Sequence, residues 1–397
     1  MGALPYYCSG YIPVFSDALF ESVSGWTTTG VTVLRDIEAL PNYLLLWRAL
    51  SQWLGGMGIL LITAALLPSI GSGAMLIFQT RASDLEEKKA VPYKVPASRL
   101  LLIYTGLTFA EVILLGCFGM NWFDAIGHSF STISTGGFSA YNNSIAHFNS
   151  PAIERICALF MLLAGFNFFL MWRLLQGKFS DLLHNSEAKV WAAIVCISGL
   201  LTAVSILPDC HSFEAALRKG FFNTASIIST TGFANTDTGA LPALAQTVLF
   251  ALLFLGGCAG STAGGIKVFR YTILAKQALI EMKKIVHPKG IFAFKLNGKS
   301  GGKELVYPVI GFIFLYLITL FTTSFLVSSA GSGVFDSFKT ALICLGNNGQ
   351  SAQSLGAFSS FFDYPAYVKW GLSLVMLLGR FELWIVIIFF PRGFFRR

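Results

Sequence analysis

Long apolar runs recur along the chain and alternate with polar loops. Seven of them come close to the ~20 residues that an α-helix needs to cross the ~30 Å hydrocarbon core of a bilayer. The fifth run meets a glycine-rich break, after which apolar residues continue to residue 274. The pattern predicts seven membrane-spanning helices, at residues 43–67, 100–120, 153–175, 190–207, 241–256, 305–327 and 368–390.

Four shorter segments of moderate hydrophobicity lie between these runs. Each favours a short helix and ends in a cluster rich in Ser, Thr, Asn or Gly. Apolar segments of ~10–14 residues are too short to span a bilayer and are typical of re-entrant helices. We therefore predict four half-spans, at residues 15–30, 123–136, 216–232 and 335–349.

The four half-spans resemble one another when they are aligned on a glycine near their ends. An aspartate lies 13 residues before the first and fourth glycines and 12 before the second, and Lys219 replaces it in the third copy. A long repeat that contains spans and a half-span indicates duplication of a membrane unit. The aligned glycines are Gly30, Gly136, Gly232 and Gly349, and the predicted units are residues 1–77, 78–180, 181–285 and 286–397.

The composition is that of a membrane protein. Hydrophobic residues make up 54% of the 397 residues and charged residues only 12%, whereas about a quarter of the residues in a soluble domain are charged. These values exclude a soluble enzyme, a fibrous protein and a disordered chain. The fold class that they favour is an all-α integral membrane protein. Seven cysteines stand singly, with no spacing typical of a zinc site or a redox pair.

Positive charge is concentrated in a few loops. The loops at 78–99, 173–189 and 267–303, together with the C-terminal tail, hold 20 of the 28 lysine and arginine residues and should be cytoplasmic. The half-spans then enter from the outside, where carboxylates such as Asp17, Glu21, Asp124 and Asp336 form an acidic mouth that concentrates cations. Ordinary solvation of a loop is the alternative for any single carboxylate.

The clusters that end the half-spans are candidates for an ion site. A half-helix that stops inside a membrane exposes backbone polar groups, which is tolerated only where they are buried or line a cavity. Four such turns around one axis would offer a ring of carbonyl oxygens to a monovalent cation, and glycine permits the backbone angles needed. An ordinary helix C-cap is the alternative for one cluster alone. The predicted ion-binding residues are Thr28, Thr29, Gly30, Ser134, Thr135, Gly136, Thr230, Thr231, Gly232, Asn347, Asn348 and Gly349.

The glycine-rich break reads GGCAGSTAGG at residues 256–265. It is not a phosphate-binding loop, because the Gly-Lys-Ser/Thr ending is missing. At 1.5 Å per residue it begins ~22 Å into the membrane, where an unwound segment of small residues could cross a pore and move. A kink for close helix packing is the alternative. The predicted gate residues are Gly256, Gly257, Gly260, Ser261, Thr262, Gly264 and Gly265, with Arg380.

Arg380 lies inside the last apolar run, ~21 Å from its start and at the same depth as the glycine-rich break. An ionisable residue at this depth is a candidate functional residue. We expect its guanidinium to donate hydrogen bonds to carbonyl groups of residues 256–265 and to raise an electrostatic barrier to cations. Pairing with Glu382 and snorkelling of the side chain are the alternatives.

Several motifs together resemble a known family. They are SGWTTTGVTVL at 24–34, WRALSQWLGGMGI at 47–59, STISTGGFS at 131–139, ISTTGFANTD at 228–237, GGCAGSTAGGIKVFR at 256–270 and LGRFE at 378–382. Over nearly the whole chain the sequence resembles the Trk/Ktr/HKT superfamily of K+ transporters, and within it the bacterial TrkH/TrkG-type membrane subunit.

The resemblance implies four span–pore-helix–span units around one pseudo-fourfold pore, and a transporter of the bacterial cytoplasmic membrane rather than an enzyme. The implied activity is K+ uptake, and Gly30 favours K+ because some relatives with serine at that position favour Na+. A Na+-coupled or Na+-permeable transporter of the same superfamily is the alternative. The K+ ion would lie at Thr29, Gly30, Thr135, Gly136, Thr231, Gly232, Asn348 and Gly349.

The resemblance also implies partners. They are a second copy of the chain in a homodimer, membrane lipid, and a cytoplasmic TrkA-type regulatory subunit that binds NAD or another nucleotide. No nucleic acid is implied, and a nucleotide would act only through the regulatory partner. Only 14 residues precede the first half-span, so we expect the first span of the family pattern to be missing from this chain. Asn348 also departs from the family, which usually has an apolar residue before the fourth glycine.

Overall fold

The computed structural model describes residues 1–66, 96–210, 212–290, 292, 295–296, 299–300, 306–349 and 361–381. These residues are almost entirely helical. One small antiparallel hairpin, β1 (Lys295–Leu296) and β2 (Lys299–Ser300), is the strand structure within the described part of the chain. The helices are α1 (Leu4–Cys8), α2 (Phe15–Trp26), α3 (Asn42–Leu66), α4 (Ala97–Cys117), α5 (Trp122–Ile133), α6 (Pro151–Gly165), α7 (Phe168–Leu175), α8 (Phe179–His184), α9 (Ser186–Ile206), α10 (Phe213–Ile228), α11 (Ala243–Leu252), α12 (Val268–Val286), α13 (Val306–Ser328), α14 (Val334–Gly346) and α15 (Ala366–Arg380).

Four of the predicted spans correspond to helices long and apolar enough to cross a bilayer, namely α3, α4, α9 and α13. The predicted span at 241–256 contains the shorter apolar helix α11. The last predicted span begins as α15, and its residues 382–390 lie outside the described residues. The four predicted half-spans correspond to α2, α5, α10 and α14.

The four long apolar helices turn much of their surface outward. Between 28% and 39% of the most apolar part of each helix is buried. Phe109, Ile197 and Phe325 are 72%, 60% and 73% exposed. Apolar surface on this scale is typical of contact with lipid or another apolar partner. With helices of spanning length, it makes the chain a multi-pass membrane protein.

The predicted span at 153–175 is not one straight helix. It is divided into α6 and α7, which are bent by 101° at a short break. Phe166 is extended, and the Asn167 side chain caps α7 by accepting a hydrogen bond from the Leu170 N–H at 3.0 Å. The break also bonds a distant segment, since the Cys258 N–H donates to the Gly165 carbonyl at 2.9 Å. The apolar composition continues across the break, so the hydrophobic pattern did not reveal the bend inside this predicted span.

Each short helix packs beside longer ones. Helix α5 packs against α4 and α6, α10 against α9 and α11, α14 against α13 and α15, and α2 against α3. Three further contacts join successive groups, because α3 packs against α5, α6 against α10, and α15 against α2. The rings of Phe250 in α11 and Phe335 in α14, with centroids 5.4 Å apart, join the third group to the fourth. The helices therefore form four groups in a closed ring, whereas the residue boundaries of the units stay a prediction.

We expect Gly220→Leu to destabilise the fold. A Cβ atom on Gly220 of α10 would lie 2.7 Å from the backbone nitrogen of Ala203 in α9, so the two helices would have to separate, at a cost of about 1–3 kcal/mol. Thermal unfolding in detergent should therefore begin at lower temperature. The matched control is Gly106→Leu in α4, because nothing lies within 4 Å of a Cβ at Gly106. Equal melting of the two variants would contradict the close approach of α9 and α10.

Candidate functional site

The four short helices end in turns of the same backbone conformation. One non-glycine residue in each turn has a positive φ: +51° at Thr28, +57° at Thr135, +58° at Thr230 and +51° at Asn347. Positive φ is uncommon for a residue with a Cβ, and especially for β-branched threonine. The four turns therefore match one another, and we name them loop L1 (residues 27–33), L2 (134–140), L3 (229–235) and L4 (347–349).

Backbone hydrogen bonds close the turns in the same way. The N–H of each positive-φ residue donates to the carbonyl three residues earlier, as from Thr28 to Gly25 at 2.9 Å. The next N–H in L1, L2 and L4 reaches back five residues, as from Thr29 to Ser24 at 2.9 Å. In L3 the Gly232 N–H reaches back to Ser226 at 3.1 Å. Because the loops share this pattern of hydrogen bonds, their residues can be matched from backbone geometry.

This correspondence shifts the second loop by one residue from the sequence alignment. Two positions after the positive-φ residue lies Gly30 in L1 and Gly137 in L2, with φ of +78° and +73°. Gly137, rather than Gly136, is therefore the counterpart of Gly30. The shift also explains the irregular aspartate spacing, because Asp124 lies 13 residues before Gly137, as in the first and fourth copies. That spacing was the signal in the sequence that could have fixed the register.

The four loops meet in cyclic order. A Cβ atom on Gly30 of L1 would lie 2.0 Å from the carbonyl oxygen of Gly136 in L2. One on Gly137 would lie 1.8 Å from the carbonyl oxygen of Thr231 in L3. Approaches this close are open only to glycine. The remaining neighbours meet in the same way, since a Cβ on Gly232 would lie 2.2 Å from the Cα of Gly349 in L4, and one on Gly349 would lie 3.4 Å from the carbonyl oxygen of Thr29 in L1.

All twelve residues predicted to bind the ion are buried at this meeting point. Hydroxyl pairs stiffen two of the loops, since the oxygens of Thr27 and Thr29 are 2.7 Å apart and those of Ser229 and Thr231 are also 2.7 Å apart. The predicted residues are Thr28, Thr29, Gly30, Ser134, Thr135, Gly136, Thr230, Thr231, Gly232, Asn347, Asn348 and Gly349, and the structure brings every one of them together.

The two asparagines of L4 attach it to other parts of the ring. The Asn347 Nδ2 donates to the hydroxyl of Thr29 at 2.9 Å and to the carbonyl of Met376 in α15 at 3.0 Å. The Asn348 Nδ2 donates to the carbonyl of Ile227 at the end of α10 at 3.1 Å. Asn348, which stands where the family usually has an apolar residue, thus has a structural role: its amide links L4 to the end of α10. The Asn347 amide links L4 to L1 and to α15.

The glycine-rich break runs directly against the loops. We call residues 253–267, between α11 and α12, the inserted segment. The Thr262 carbonyl accepts a hydrogen bond from the Thr135 hydroxyl at 2.8 Å, and the Gly264 N–H donates to the Thr230 hydroxyl at 2.7 Å. The inserted segment is thereby attached to the positive-φ threonines of L2 and L3.

The inserted segment is also tied to the helices that surround it. The Thr262 hydroxyl donates to the carbonyls of Ile133 and Ala164, at 3.0 and 3.1 Å. The Gly260 carbonyl accepts from the Phe168 N–H at 3.1 Å, and a Cβ on Gly257 would lie 2.6 Å from the Gly165 carbonyl oxygen. The predicted gate residues Gly256, Gly257, Gly260, Ser261, Thr262 and Gly264 are all buried, and Gly265 is partly buried.

Arg380 makes the contact that the sequence predicts. Its Nη1 donates to the Thr262 carbonyl at 2.7 Å, and the side chain is 5% exposed. Its Nε and Nη2 atoms have no hydrogen-bond partner among the described residues, and Glu382 lies outside them. Lys267 brings a second cation to the segment, because its Nζ donates to the Ala263 carbonyl.

Two buried side chains beside the site were missed. The Gln52 Nε2 in α3 donates to the Gly136 carbonyl at 2.8 Å, and its Oε1 accepts from the Phe138 N–H at 3.1 Å. The Glu187 Oε1 at the start of α9 accepts from the Ala259 N–H at 2.6 Å. Polar residues within or beside apolar runs were the signal that could have identified them.

The expectation of an acidic mouth is wrong for three of its carboxylates. Asp17 is buried and forms an ion pair with Lys369 of α15 at 2.8 Å. Glu21 is buried and pairs with Arg48 of α3 at 2.9 Å. Asp124 accepts a hydrogen bond from the Tyr141 hydroxyl at 2.9 Å, and burial together with this carboxylate raises the pKa of Tyr141 to about 12. These carboxylates hold the structure together instead of facing solvent.

Comparison with known proteins decides the family. The model of the TrkH family, described as "Cation transport protein", matches residues 2–188 and 208–394. The chain belongs to the TrkH family. This finding confirms the resemblance noted from the motifs. Each of the relatives described next is named as a potassium uptake protein or transporter, not as an enzyme.

Relatives of the family align over the whole chain. It is 36% identical to the Trk system potassium uptake protein TrkH of Halomonas elongata and 34% identical to that of Escherichia coli K12, and each alignment covers 100% of this chain and 83% of the relative. The crystal structure of the potassium transporter TrkH from Vibrio parahaemolyticus superposes with a TM-score of 0.86 at 32% identity, covering 96% of this chain and 80% of that one. The helical fold is therefore that of the TrkH family.

We expect Gly137→Ala to be more harmful than Gly136→Ala. An alanine at 137 would combine a φ of +73° with a Cβ 1.8 Å from the backbone oxygen of Thr231, and such strain costs about 1–3 kcal/mol. An alanine at 136 would displace the end of the Gln52 side chain at the cost of its two hydrogen bonds, but its three nearest atoms are all from that side chain and none is from the backbone. Thermal unfolding in detergent checks the order of the two variants. If Gly136→Ala unfolded at the lower temperature, Gly136 would again be the counterpart of Gly30, as in the sequence alignment.

Proposed function

We propose that this chain is the membrane subunit of a K+ uptake system and conducts K+ through the axis where L1 to L4 meet. The observation that carries the proposal is the meeting of four loops of equal backbone conformation in one buried place. Carbonyl oxygens of such loops can replace the hydration shell of an alkali ion. The names of the relatives, all Trk system potassium uptake proteins, support K+ as the cargo.

The filter of this pore consists of the loop residues that follow the positive-φ positions. Equivalent carbonyl groups belong to Thr29, Gly136, Thr231 and Asn348, and they form the ring that holds K+. The C-terminal ends of the four short helices lie at the same loops and carry partial negative charge, which favours a cation. With Gly137 added for the register, the proposed K+ site is Thr29, Gly30, Thr135, Gly136, Gly137, Thr231, Gly232, Asn348 and Gly349.

The inserted segment acts as the gate. Its bonds to Thr135 and Thr230 hold it against the filter, and Arg380 and Lys267 bring positive charge to it. An ion that leaves the filter therefore meets a closed segment and a repulsive field. Opening requires Thr262 to part from its partners in α5, α6, L2 and α15. Inward K+ movement is driven by the membrane potential, worth ~2.3 kcal/mol per charge per 100 mV.

The working protein is a homodimer in the bacterial cytoplasmic membrane, with a cytoplasmic TrkA-type regulatory subunit that binds NAD or another nucleotide. The four repeat units run over residues 1–77, 78–180, 181–285 and 286–397.

Growth of a K+-uptake-deficient bacterial host at low K+, with the full-length gene supplied, tests the function. Growth that also requires added Na+ would favour a Na+-coupled transporter instead.

We expect Gly232→Ser to lower the preference for K+ over Na+ by about tenfold, or ~1.4 kcal/mol. A Cβ at this position, with φ of +82°, would lie 2.2 Å from the Cα of Gly349 and would push L3 away from L4. Flux of Rb+ and Na+ into proteoliposomes measures the ratio. Gly106→Ser, in open space on α4, serves as the control. Unchanged selectivity of Gly232→Ser would count against the filter.

We expect Arg380→Ala to increase cation flux severalfold, because it removes the hydrogen bond to Thr262 and a buried positive charge from the gate. Proteoliposome flux at fixed potential measures the effect. Arg155→Ala is the control, because Arg155 forms an exposed ion pair with Glu214 away from the gate. If flux and apparent K+ affinity of Arg380→Ala both equal those of the parent, Arg380 has no role in gating.

A further inference from the structure

One position on each short helix is bonded to the end of its loop or to the chain beyond the loop. These four positions lie seven residues before the positive-φ residue of their loop and are Glu21, His128, Asn223 and Thr340. Each is buried. The side chain of each makes a hydrogen bond that spans the turn or its flank, but the chemistry of the four bonds differs.

The contacts of the first three positions are the most similar. The Glu21 carboxylate accepts hydrogen bonds from the Thr32 hydroxyl and the Val33 N–H, at 2.9 and 3.1 Å. The His128 Nε2 and the Ser139 hydroxyl are 3.0 Å apart. In the third copy the Asn223 Nδ2 donates to the Asn235 Oδ1 at 3.2 Å. These bonds join the short helix to the last residues of L1, L2 or L3.

In the fourth copy the oxygens of Thr340 and Tyr364 are 3.4 Å apart. Tyr364 lies close to the start of α15, on the far side of residues 350–360, which lie outside the described residues. The fourth position is thus also bonded to the chain that follows its loop, although over a longer stretch.

The first position alone carries an ion pair that reaches a second loop. The Arg48 Nε donates to Glu21 at 2.9 Å, and its Nη1 donates to the Ser139 carbonyl of L2 at 3.1 Å. The guanidinium lies 4.0 Å from the centre of the Phe138 ring, and Arg48 is 1% exposed. One buried cation therefore joins the last residues of L1, through Glu21, to those of L2.

We propose that Glu21 and Arg48 are positioning residues that fix the spacing between L1 and L2 and so set the preference for K+ over Na+. Their contacts with Val33 and Ser139 lie three to four residues beyond the carbonyls of Thr29 and Gly136, which belong to the proposed filter. The inference rests on the proposed function, because it needs those carbonyls to hold the ion.

The effect of this ion pair on loop spacing is distinct from its effect on the stability of the fold. A buried ion pair costs desolvation of both charges, and well-packed apolar residues in its place are often as stable or more so. The pair does fix geometry, because Arg48 can satisfy Glu21 and the Ser139 carbonyl together only at one distance between the two segments. When that link is lost, the first and second loops can close around the smaller Na+ ion.

The experiment uses Arg48→Met, Glu21→Gln and the double variant, each reconstituted as the full chain in proteoliposomes. Each single variant leaves one buried charge unpaired and should melt at lower temperature than the parent. The double variant has no unpaired charge at this place, so its melting temperature should return toward that of the parent. Its K+ over Na+ preference should stay about tenfold lower, because the link between L1 and L2 is still missing.

Two further variants complete the test. Arg48→Lys keeps the charge but supplies no planar fork, so its selectivity should lie between that of the parent and that of Arg48→Met. Arg155→Gln removes an arginine from the exposed pair with Glu214 and should leave selectivity unchanged.

A double variant that regains both stability and selectivity would overturn the positioning role, because the pair would then act only through its charges. Parental selectivity in all the Glu21 and Arg48 variants would overturn it as well. The Gly232→Ser variant distinguishes a failure of the proposed filter from a failure of the role proposed for Glu21 and Arg48. If it loses selectivity while the Glu21 and Arg48 variants keep it, the filter stands and only the role of this pair fails.

Discussion

Four helices that stop inside the protein have backbone polar groups at their ends that must find partners, and the rest of the structure depends on how they do so. The last carbonyl groups of a helix have no partner within it. Here side chains from other groups of helices donate hydrogen bonds to some of these carbonyl groups. Thr262 donates to Ile133 at the end of α5, and Asn348 donates to Ile227 near the end of α10. The helix ends are therefore held together by bonds between groups as well as by packing.

Much of this architecture was predictable from local sequence. The long apolar runs predicted α3, α4, α9 and α13, and the clusters with Thr, Ser and Asn marked where the four short helices end. Features that depend only on neighbouring residues, such as apolar runs and polar clusters, can be identified from the sequence. The break between α6 and α7 was not apparent from the local sequence, and its Gly165 carbonyl is bonded to Cys258, which lies far along the chain. The pair of adjacent glycines in L2 does not by itself specify the register, and the 13-residue spacing from Asp124 was the signal that could have done so.

The buried ion pairs were the least predictable part of the site. Asp17 pairs with Lys369 and Glu21 with Arg48, and no sequence pattern links either acid to its partner. In the sequence these carboxylates looked like groups that face water, and their burial is possible because cations from other helices pair with them. The contact of Arg380 with the inserted segment was predictable, because depth along two helices gave the same level for both.

The four loops belong to one polypeptide, which has a consequence for how the site can change. In a ring of four identical subunits, one substitution alters all four positions at once. In this chain a substitution alters one quarter of the ring, and the other three quarters keep their geometry. Threonine, glycine and asparagine can thus stand at corresponding places in L1 to L4, each matched to its own neighbours. Single substitutions can therefore adjust the ring one loop at a time. The four loops can share a backbone conformation without sharing the same side chains.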